Sequence, residues 1–353
     1  MTVGLLIVLG CILILPFAFR IIEHNLEYFL FIMGILAVVI SGELSTELVL
    51  HVFQNYLLYL ITGAVLIAGL IFRVSVNKIR KMVETLLRKI PLKLFIFLLI
   101  LILGFVSSFI TAIIASLILV EIIHALPFKH KDKVLLAVIA CFAIGLGAAL
   151  TPIGEPLSTI VTSKMSANFF FLFNSIGIYI IIGIVGLAAF GAFYVDYMQK
   201  KSNSKTDEQE EKEICDYKEN VIEIESMKEV IIRAVKIFIF VVALELLGAG
   251  FKPLINNYII HLDSRLLYWI NMTSAVLDNA TLAAAEISPA MDINQIKAIL
   301  MGLLLSGGML IPGNIPNIIS AGKLNIKSRE WAVIGLPLGV ILLGVYYLVL
   351  FVF

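Results

Sequence analysis

The stretch Ser274-Ala-Val-Leu-Asp278-Asn279-Ala-Thr281-Leu-Ala-Ala-Ala-Glu286 puts a carboxyl and an amide side by side in a run that otherwise reads as membrane. A charge at membrane depth costs about 2.5–3.5 kcal/mol on insertion scales. A chain keeps one there where a bound cation, a proton or a pore offsets the cost. Thr273, Ser274 and Thr281 flank the pair, so carboxylate, amide and hydroxyl oxygens come together. Such oxygens are the donors that small hard cations take.

Two further stretches combine polar residues with helix breakers. The first is Gly147-Ala-Ala-Leu150-Thr151-Pro152-Ile-Gly154-Glu155-Pro156, and the second is Gly307-Gly308-Met-Leu310-Ile-Pro312-Gly313-Asn314-Ile-Pro316-Asn317. Paired prolines and glycines cannot continue a regular helix, and backbone this irregular is tolerated at membrane depth only inside protein or along a cavity. A third polar interruption is Gly104-Phe-Val-Ser107-Ser108-Phe-Ile-Thr111.

The elements that must position these residues are membrane helices. The chain has 353 residues, is 61% hydrophobic with only 14% charged, and has a mean hydropathy of +1.05. Soluble domains carry about 25% charged residues. A net charge of +1 gives no case for a nucleic-acid partner. Cys11, Cys141 and Cys215 are scattered and form no metal-ligand spacing. Nucleophile–base pairs and metal clusters at fixed spacing are not seen, so no enzyme and no cofactor is expected.

Spans are expected over Thr2–Phe19, Tyr28–Ile40, Asn55–Phe72, Phe169–Tyr197, Ala234–Leu247 and Trp331–Phe353, with Glu245 in mid-span as a candidate for a proton path. Arg73–Lys93 is rich in Lys and Arg, with apolar residues at helical spacing, and reads as an amphipathic surface helix. Residues 94–127 are apolar with basic flanks on both sides. A single crossing would put positive charge on both faces of the membrane, so a re-entrant hairpin with its tip at Ser107–Thr111 is expected. Residues 200–228 form a polar connector. Trp269, Tyr268 and Trp331 lie near span ends and read as interface anchors.

The two breaks align on each other: Leu150 with Leu310, Pro152 with Pro312 and Pro156 with Pro316, all at one offset. The hairpin tips align roughly as well, Ser107-Ser-Phe-Ile-Thr111 over Ser274-Ala-Val-Leu-Asp278. Each half therefore carries a hairpin, a broken helix and a span. Paired interruptions at matching positions are the sequence pointer to a transporter's binding site. The fold expected is an all-α integral membrane protein with an inverted repeat, two re-entrant hairpins and two broken transmembrane helices. Residues 1–54 give N-terminal scaffold spans. Residues 55–197 form the first repeat (hairpin 94–127, broken helix 134–163), 198–230 a linker, and 231–353 the second repeat (hairpin 263–288, broken helix 293–323). Charge placement puts 73–93, 127–133, 198–230 and 323–330 in the cytoplasm of a cell-membrane protein, with both termini outside.

At the hairpins and breaks the sequence resembles the ion transporter superfamily, and in particular an uncharacterised predicted cation transporter branch related to NhaD-type sodium/proton antiporters. Leu277-Asp278-Asn279-Ala-Thr281 is similar to the Asp-Asn core of those antiporters, and Gly307-Gly308 to their Gly-Gly-Ser break, with Met309 in place of Ser. The resemblance covers about Tyr56 to the C-terminus. Dicarboxylate carriers of the superfamily show Ser-Asn-Thr at both tips, and this chain has no such triplet. The resemblance implies a secondary transporter that works by an elevator-like or rocking motion, built as a homodimer through the scaffold spans.

The site so expected comprises Asp278, Asn279, Ser274, Thr281, Asn314 and Asn317 from the second half, and Ser107, Ser108, Thr111, Thr151 and Glu155 from the first. Sodium would sit on Asp278 and Asn279. Pro152, Gly154, Pro156, Gly307, Gly308, Pro312, Gly313 and Pro316 would supply the breaks. An apolar surround raises a carboxylate's pKa and a bound cation lowers it, so protons and sodium would compete for Asp278 or Glu155. A sodium-coupled symporter of a small anion, such as a carboxylate or oxyanion, is the alternative. Plainer roles stay open: Asp278 as a helix N-cap, Asn279 as a partner for backbone freed at the turn, and Glu155 as a partner of Lys164.

Overall fold

The computed structural model describes the chain apart from residues 20, 23–24, 57, 60–61, 64–65, 68, 72, 75–77, 79–84, 86–88, 127, 166, 203–225, 255–256, 258–260, 276–278 and 353. It is 84% helical, with no strand among the described residues. In chain order the helices are α1 (Thr2–Ala18), α2 (Leu26–Ser41), α3 (Thr46–Gln54), α4 (Leu92–Ile110), α5 (Ala112–Ala125), α6 (His130–Ala148) and α7 (Pro156–Lys164). They continue as α8 (Phe171–Ser202), α9 (Met227–Leu254), α10 (Ser264–Ile270), α11 (Asn279–Glu286), α12 (Ile293–Gly307), α13 (Ile315–Lys323) and α14 (Ser328–Phe351). Among the described residues, three segments are long and apolar enough to cross a membrane: Leu92–Ile110, Phe171–Lys200 and Ser328–Phe351.

The centre is made by α6 and α12. Both are apolar on every face, and both are buried along nearly their whole length, from Leu136 to Ala148 and from Ala298 to Gly307. A helix that is hydrophobic all round belongs in the interior. These are also the two helices that lead into the proline breaks. Each break ends one helix and starts the next, since Pro156 opens α7 and Pro316 lies in the first turn of α13. A proline there gives up an N–H that the helix would leave orphaned anyway.

Side-chain contacts fix the directions. Lys93 pairs with Asp196 (3.3 Å), Tyr194 donates to Asp132 (2.7 Å), Lys133 donates to the His124 carbonyl (2.8 Å), and His130 lies 3.5 Å from Glu330. The starts of α4, α6 and α14 therefore share one end of the molecule with the last turns of α5 and the far part of α8. At the opposite end Gln295 donates to the Leu262 carbonyl (2.9 Å), and Tyr268 stacks with Tyr347 and Phe351. So α6 and α12 run in opposite senses. Helices α4 and α5 form a hairpin that starts and finishes at the first end, with Thr111 at its tip. The segment from α10 through a 3₁₀ turn (Asn271–Ala275) to α11 folds back on itself from the second end. The hairpins pack crosswise: α5 lies against α13, and α11 against α7.

Outside this core, α2 and α9 form the most extensive helix pair, tied by Glu27 and Lys236 (2.5 Å), and α1 packs on α2. Helix α3 was not expected from the sequence. It starts where Ser45 accepts a hydrogen bond from the Leu48 N–H (3.1 Å), a normal N-cap. The expected span over 55–72 is described only in part, and most of the amphipathic segment over 73–93 falls outside the described residues.

Two aromatic residues correct the interface reading. Tyr268 is fully buried and donates to the Leu343 carbonyl (2.8 Å). Trp331 is fully buried too, and its Nε1–H donates to the Gly308 carbonyl (3.2 Å) at the second break. Only Trp269 of the three keeps substantial exposure, 42%. Proximity to a span end could not reveal that the rings of Tyr268 and Trp331 point inward.

Candidate functional site

The first half brings its hairpin tip onto its break. The Ala112 N–H donates to the Gly154 carbonyl (2.8 Å), and the Thr151 hydroxyl donates to the Ser108 carbonyl. Ser107 donates to the Gly104 and Ile144 carbonyls (2.7 and 3.1 Å), and Ser108 to the Phe105 carbonyl (2.6 Å). Thr159 donates to the Pro152 carbonyl (2.8 Å) across the turn. These hydroxyls, expected as ion ligands, are spent in part on holding irregular backbone. Glu155 is buried, 4% exposed, at the N-cap position of α7.

Thr111 carries the local strain. Its φ of 75° and ψ of 149° are far outside what a β-branched residue adopts readily. The flanking bonds at Ala112 and Thr151 hold it there, and its hydroxyl accepts from the Ile114 N–H (3.5 Å) to cap α5. Backbone of this kind costs about 1–3 kcal/mol. Thr111→Gly is therefore expected to raise the thermal midpoint of the purified protein. A lower midpoint would mean that the lost cap outweighs the strain.

The second half is built the same way but leaves polar atoms open. Asn317 donates from Nδ2 to the Gly307 and Leu310 carbonyls (2.8 Å each), which clamps the break. Gly313 lies so close to the 3₁₀ turn that a Cβ there would stand 2.5 Å from the Ser274 carbonyl oxygen and 2.6 Å from that of Gly307. A Cβ on Gly307 would stand 3.6 Å from Ser274 Oγ, so turn, helix end and break meet at one point. Asn314 reaches across to the first half, where its Nδ2 fills the space that a side chain on Gly145 would need. Phe142 of α6 covers Gly308 in the same way.

Ser274, Asn279, Asn314 and Asn317 are all buried, at 3% exposure or less. In the second half, four buried polar atoms lack a partner among the described residues: Asn271 Oδ1, Ser274 Oγ, Asn279 Nδ2 and Asn317 Oδ1. All belong to the second hairpin and the second break. Buried polar groups are nearly always hydrogen-bonded, and each exception calls for an explanation such as an unseen ion or water. Asp278 lies outside the described residues, as does the side chain of Thr281. Thr273 is exposed and donates to the Ile270 carbonyl (2.9 Å), so it turns away from this cluster.

Asn271 was not foreseen. It is fully buried, donates to the Leu267 carbonyl and to Glu286 (2.9 and 2.8 Å), and nothing in its sequence context sets it apart from an ordinary span-end residue. Glu245 was read as part of a proton path. It accepts from Asn55 (3.0 Å) and Ser163 (2.9 Å), so it joins α9 to the end of α3 and the last turn of α7. Lys164 spends its ammonium on the Ile287 carbonyl (3.0 Å), and Glu245 is the carboxylate that acts on it electrostatically. Glu245→Ala should cost about 1–3 kcal/mol, because it strands the partners of two hydrogen bonds. Glu245→Gln should cost less, since its amide oxygen can still accept. Equal midpoints for the wild type and the Ala variant would show that the cluster contributes nothing.

No curated protein matches the chain by sequence. A family model described as "Protein of unknown function (DUF1646)" matches residues 2–353, and over that length the chain belongs to this family.

Proposed function

We propose that the protein is a secondary active transporter of a monovalent cation, most directly a sodium/proton antiporter of the cell membrane. Its two halves, 55–197 and 231–353, act as inverted repeats, with α4–α5 and α10–α11 as re-entrant hairpins and α6–α7 and α12–α13 as broken spanning helices. The opposite senses of α6 and α12 and the crosswise hairpin packing support this reading. The observation that carries it is the group of unpartnered buried atoms on Asn271, Ser274, Asn279 and Asn317, gathered where hairpin and break meet. Unwound backbone and helix C-termini add carbonyl oxygens at such a place.

Asp278 and Asn279 bind sodium, and Glu155 at the start of α7 exchanges protons. Alternate loading of these carboxyls drives a rocking or elevator-like movement of the hairpins against the scaffold. A homodimer through the scaffold spans anchors that movement. The ends marked by Lys93, His130, Asp196 and Glu330 face the cytoplasm with linker 198–230, and both termini lie outside.

The second reading, a sodium-coupled carrier of a small anion, also has an observation behind it. The N-termini of α5 and α7 meet at the Ala112–Gly154 bond, and helix N-termini suit an oxyanion. Glu155 brings negative charge to those same N-termini, and neither break holds an arginine or lysine, so this reading stands second.

Sodium binding to purified protein as a function of pH tests the proposal. Protons compete for the binding carboxylates, so the apparent sodium affinity should fall as pH is lowered, and Asp278→Asn should lose the binding that Asp278 provides at every pH. Sodium affinity independent of pH, with Asp278→Asn unchanged, would refute it.

A further inference from the structure

Glu286 has no part in the site drawn above, yet it is among the most deeply placed carboxylates of the chain. It ends α11 with 8% of its surface exposed. Its Oε2 accepts from Asn271 Nδ2 (2.8 Å), and among the described residues no cationic side chain pairs with it. Lys164 donates to the carbonyl of Ile287, the residue after Glu286 (3.0 Å), and Glu245 acts on it electrostatically. A buried carboxylate with no countercharge is costly unless a cation or a proton reaches it.

Asn271 supplies the second, independent sign. It is 0% exposed, its backbone carbonyl accepts from Ser306 (2.8 Å), and its amide nitrogen is used twice. Its Oδ1 accepts nothing from the described residues. An amide oxygen held rigidly in the interior with an open lone pair asks for a donor or a cation. Asn271 and Ser274 are three residues apart in a 3₁₀ turn, where side chains at that spacing eclipse one another. Ser274 Oγ is also without a partner among the described residues. Glu286 thus touches Asn271 directly, and Asn271 and Ser274 share one side of the turn.

We propose that Glu286 and the Asn271 side-chain oxygen form a second binding site for a hard monovalent cation, linked through Ser274 to the site at Asp278–Asn279. This deepens the transporter reading and rests on it. The second site would hold sodium beside the first, so that each chain carries two cations rather than one. The carboxylate supplies the charge, and the amide and hydroxyl oxygens replace water on the ion.

Equilibrium binding of radioactive sodium to the purified full chain tests this by stoichiometry. The wild type is expected to bind two sodium ions per chain, Glu286→Gln one, and Asp278→Asn one. Glu286→Gln keeps the side-chain volume, and its amide oxygen can still accept from Asn271. Asn271→Ala leaves the carboxylate in place and removes the open oxygen; it is the second variant, and it too should bind one ion. Either of these two variants with the wild-type count and affinity overturns the inference. A wild type that binds one sodium, lost in Asp278→Asn and unaltered in Glu286→Gln, overturns the inference and leaves the transporter reading standing. A wild type that binds no sodium at any pH overturns both.

Discussion

Alanine at Gly313 is expected to abolish transport and to lower the thermal midpoint. The added Cβ would stand 2.5 Å from the Ser274 carbonyl oxygen, 2.6 Å from that of Gly307 and 3.0 Å from that of Ala275. None of these is the tip of a flexible side chain. Two belong to the 3₁₀ turn that leads into Asp278, and the third ends α12. Relief of the clash must move the hairpin away from the break. Overpacking of this sort costs about 1–3 kcal/mol. The functional loss should be larger, because a displacement of about 1 Å at a reacting or binding centre can cost about 100-fold. Gly147→Ala is the counterpart in the first half, where the Cβ would overlap the Gly104 carbonyl. Gly186→Ala in α8 meets nothing within 4 Å and is the control, with transport unchanged. Wild-type flux in Gly313→Ala would show that hairpin and break need not touch.

Loss of charge at the two proposed exchange carboxyls should have the next largest effect. Asp278→Asn is isosteric, keeps hydrogen-bonding capacity and removes only the negative charge. If that charge holds the cation, flux should fall by at least about 100-fold, since about 2.7 kcal/mol of charge–ion attraction already corresponds to that factor. Glu155→Gln should separate the two ions: sodium still binds, and its dependence on pH weakens. The prediction follows from the position of Glu155, which is buried at the start of α7 and tied by its own break to the tip of the first hairpin. Flux measured with each variant in proteoliposomes checks both. Equal losses of sodium binding in the two variants would show that the carboxyls act as one unit.

The breaks were legible in the sequence because proline and glycine act locally. Pro152 and Pro312 stand with glycines in the two interruptions, and Pro156 and Pro316 open the helices that follow, where the structure has them. The paired polar tips were legible because serine, threonine and asparagine are conspicuous in an apolar run. The direction of a side chain was not. Thr273 and Ser274 are neighbours of similar type, and the 3₁₀ turn sends one outward and buries the other. Asn271 and Glu286 are fifteen residues apart in the chain and become partners only when the hairpin closes. Trp331 reads as an anchor from its place at the start of a span, yet it holds a carbonyl of the break through a contact between distant parts of the chain. The hydroxyls of Ser107, Ser108 and Thr151 read as ion ligands by type, and in the structure they donate to backbone carbonyls near the hairpin tip.

The most direct test of the central claim is proton-coupled sodium flux in proteoliposomes that contain only this protein. With an acidic interior and no added anion substrate, radioactive sodium should accumulate inside as protons leave. Uptake should saturate with sodium, and Asp278→Asn should reduce it to the level of empty vesicles. Sodium uptake that ignores the proton gradient, or that begins only when a carboxylate or oxyanion is supplied, would contradict sodium/proton exchange.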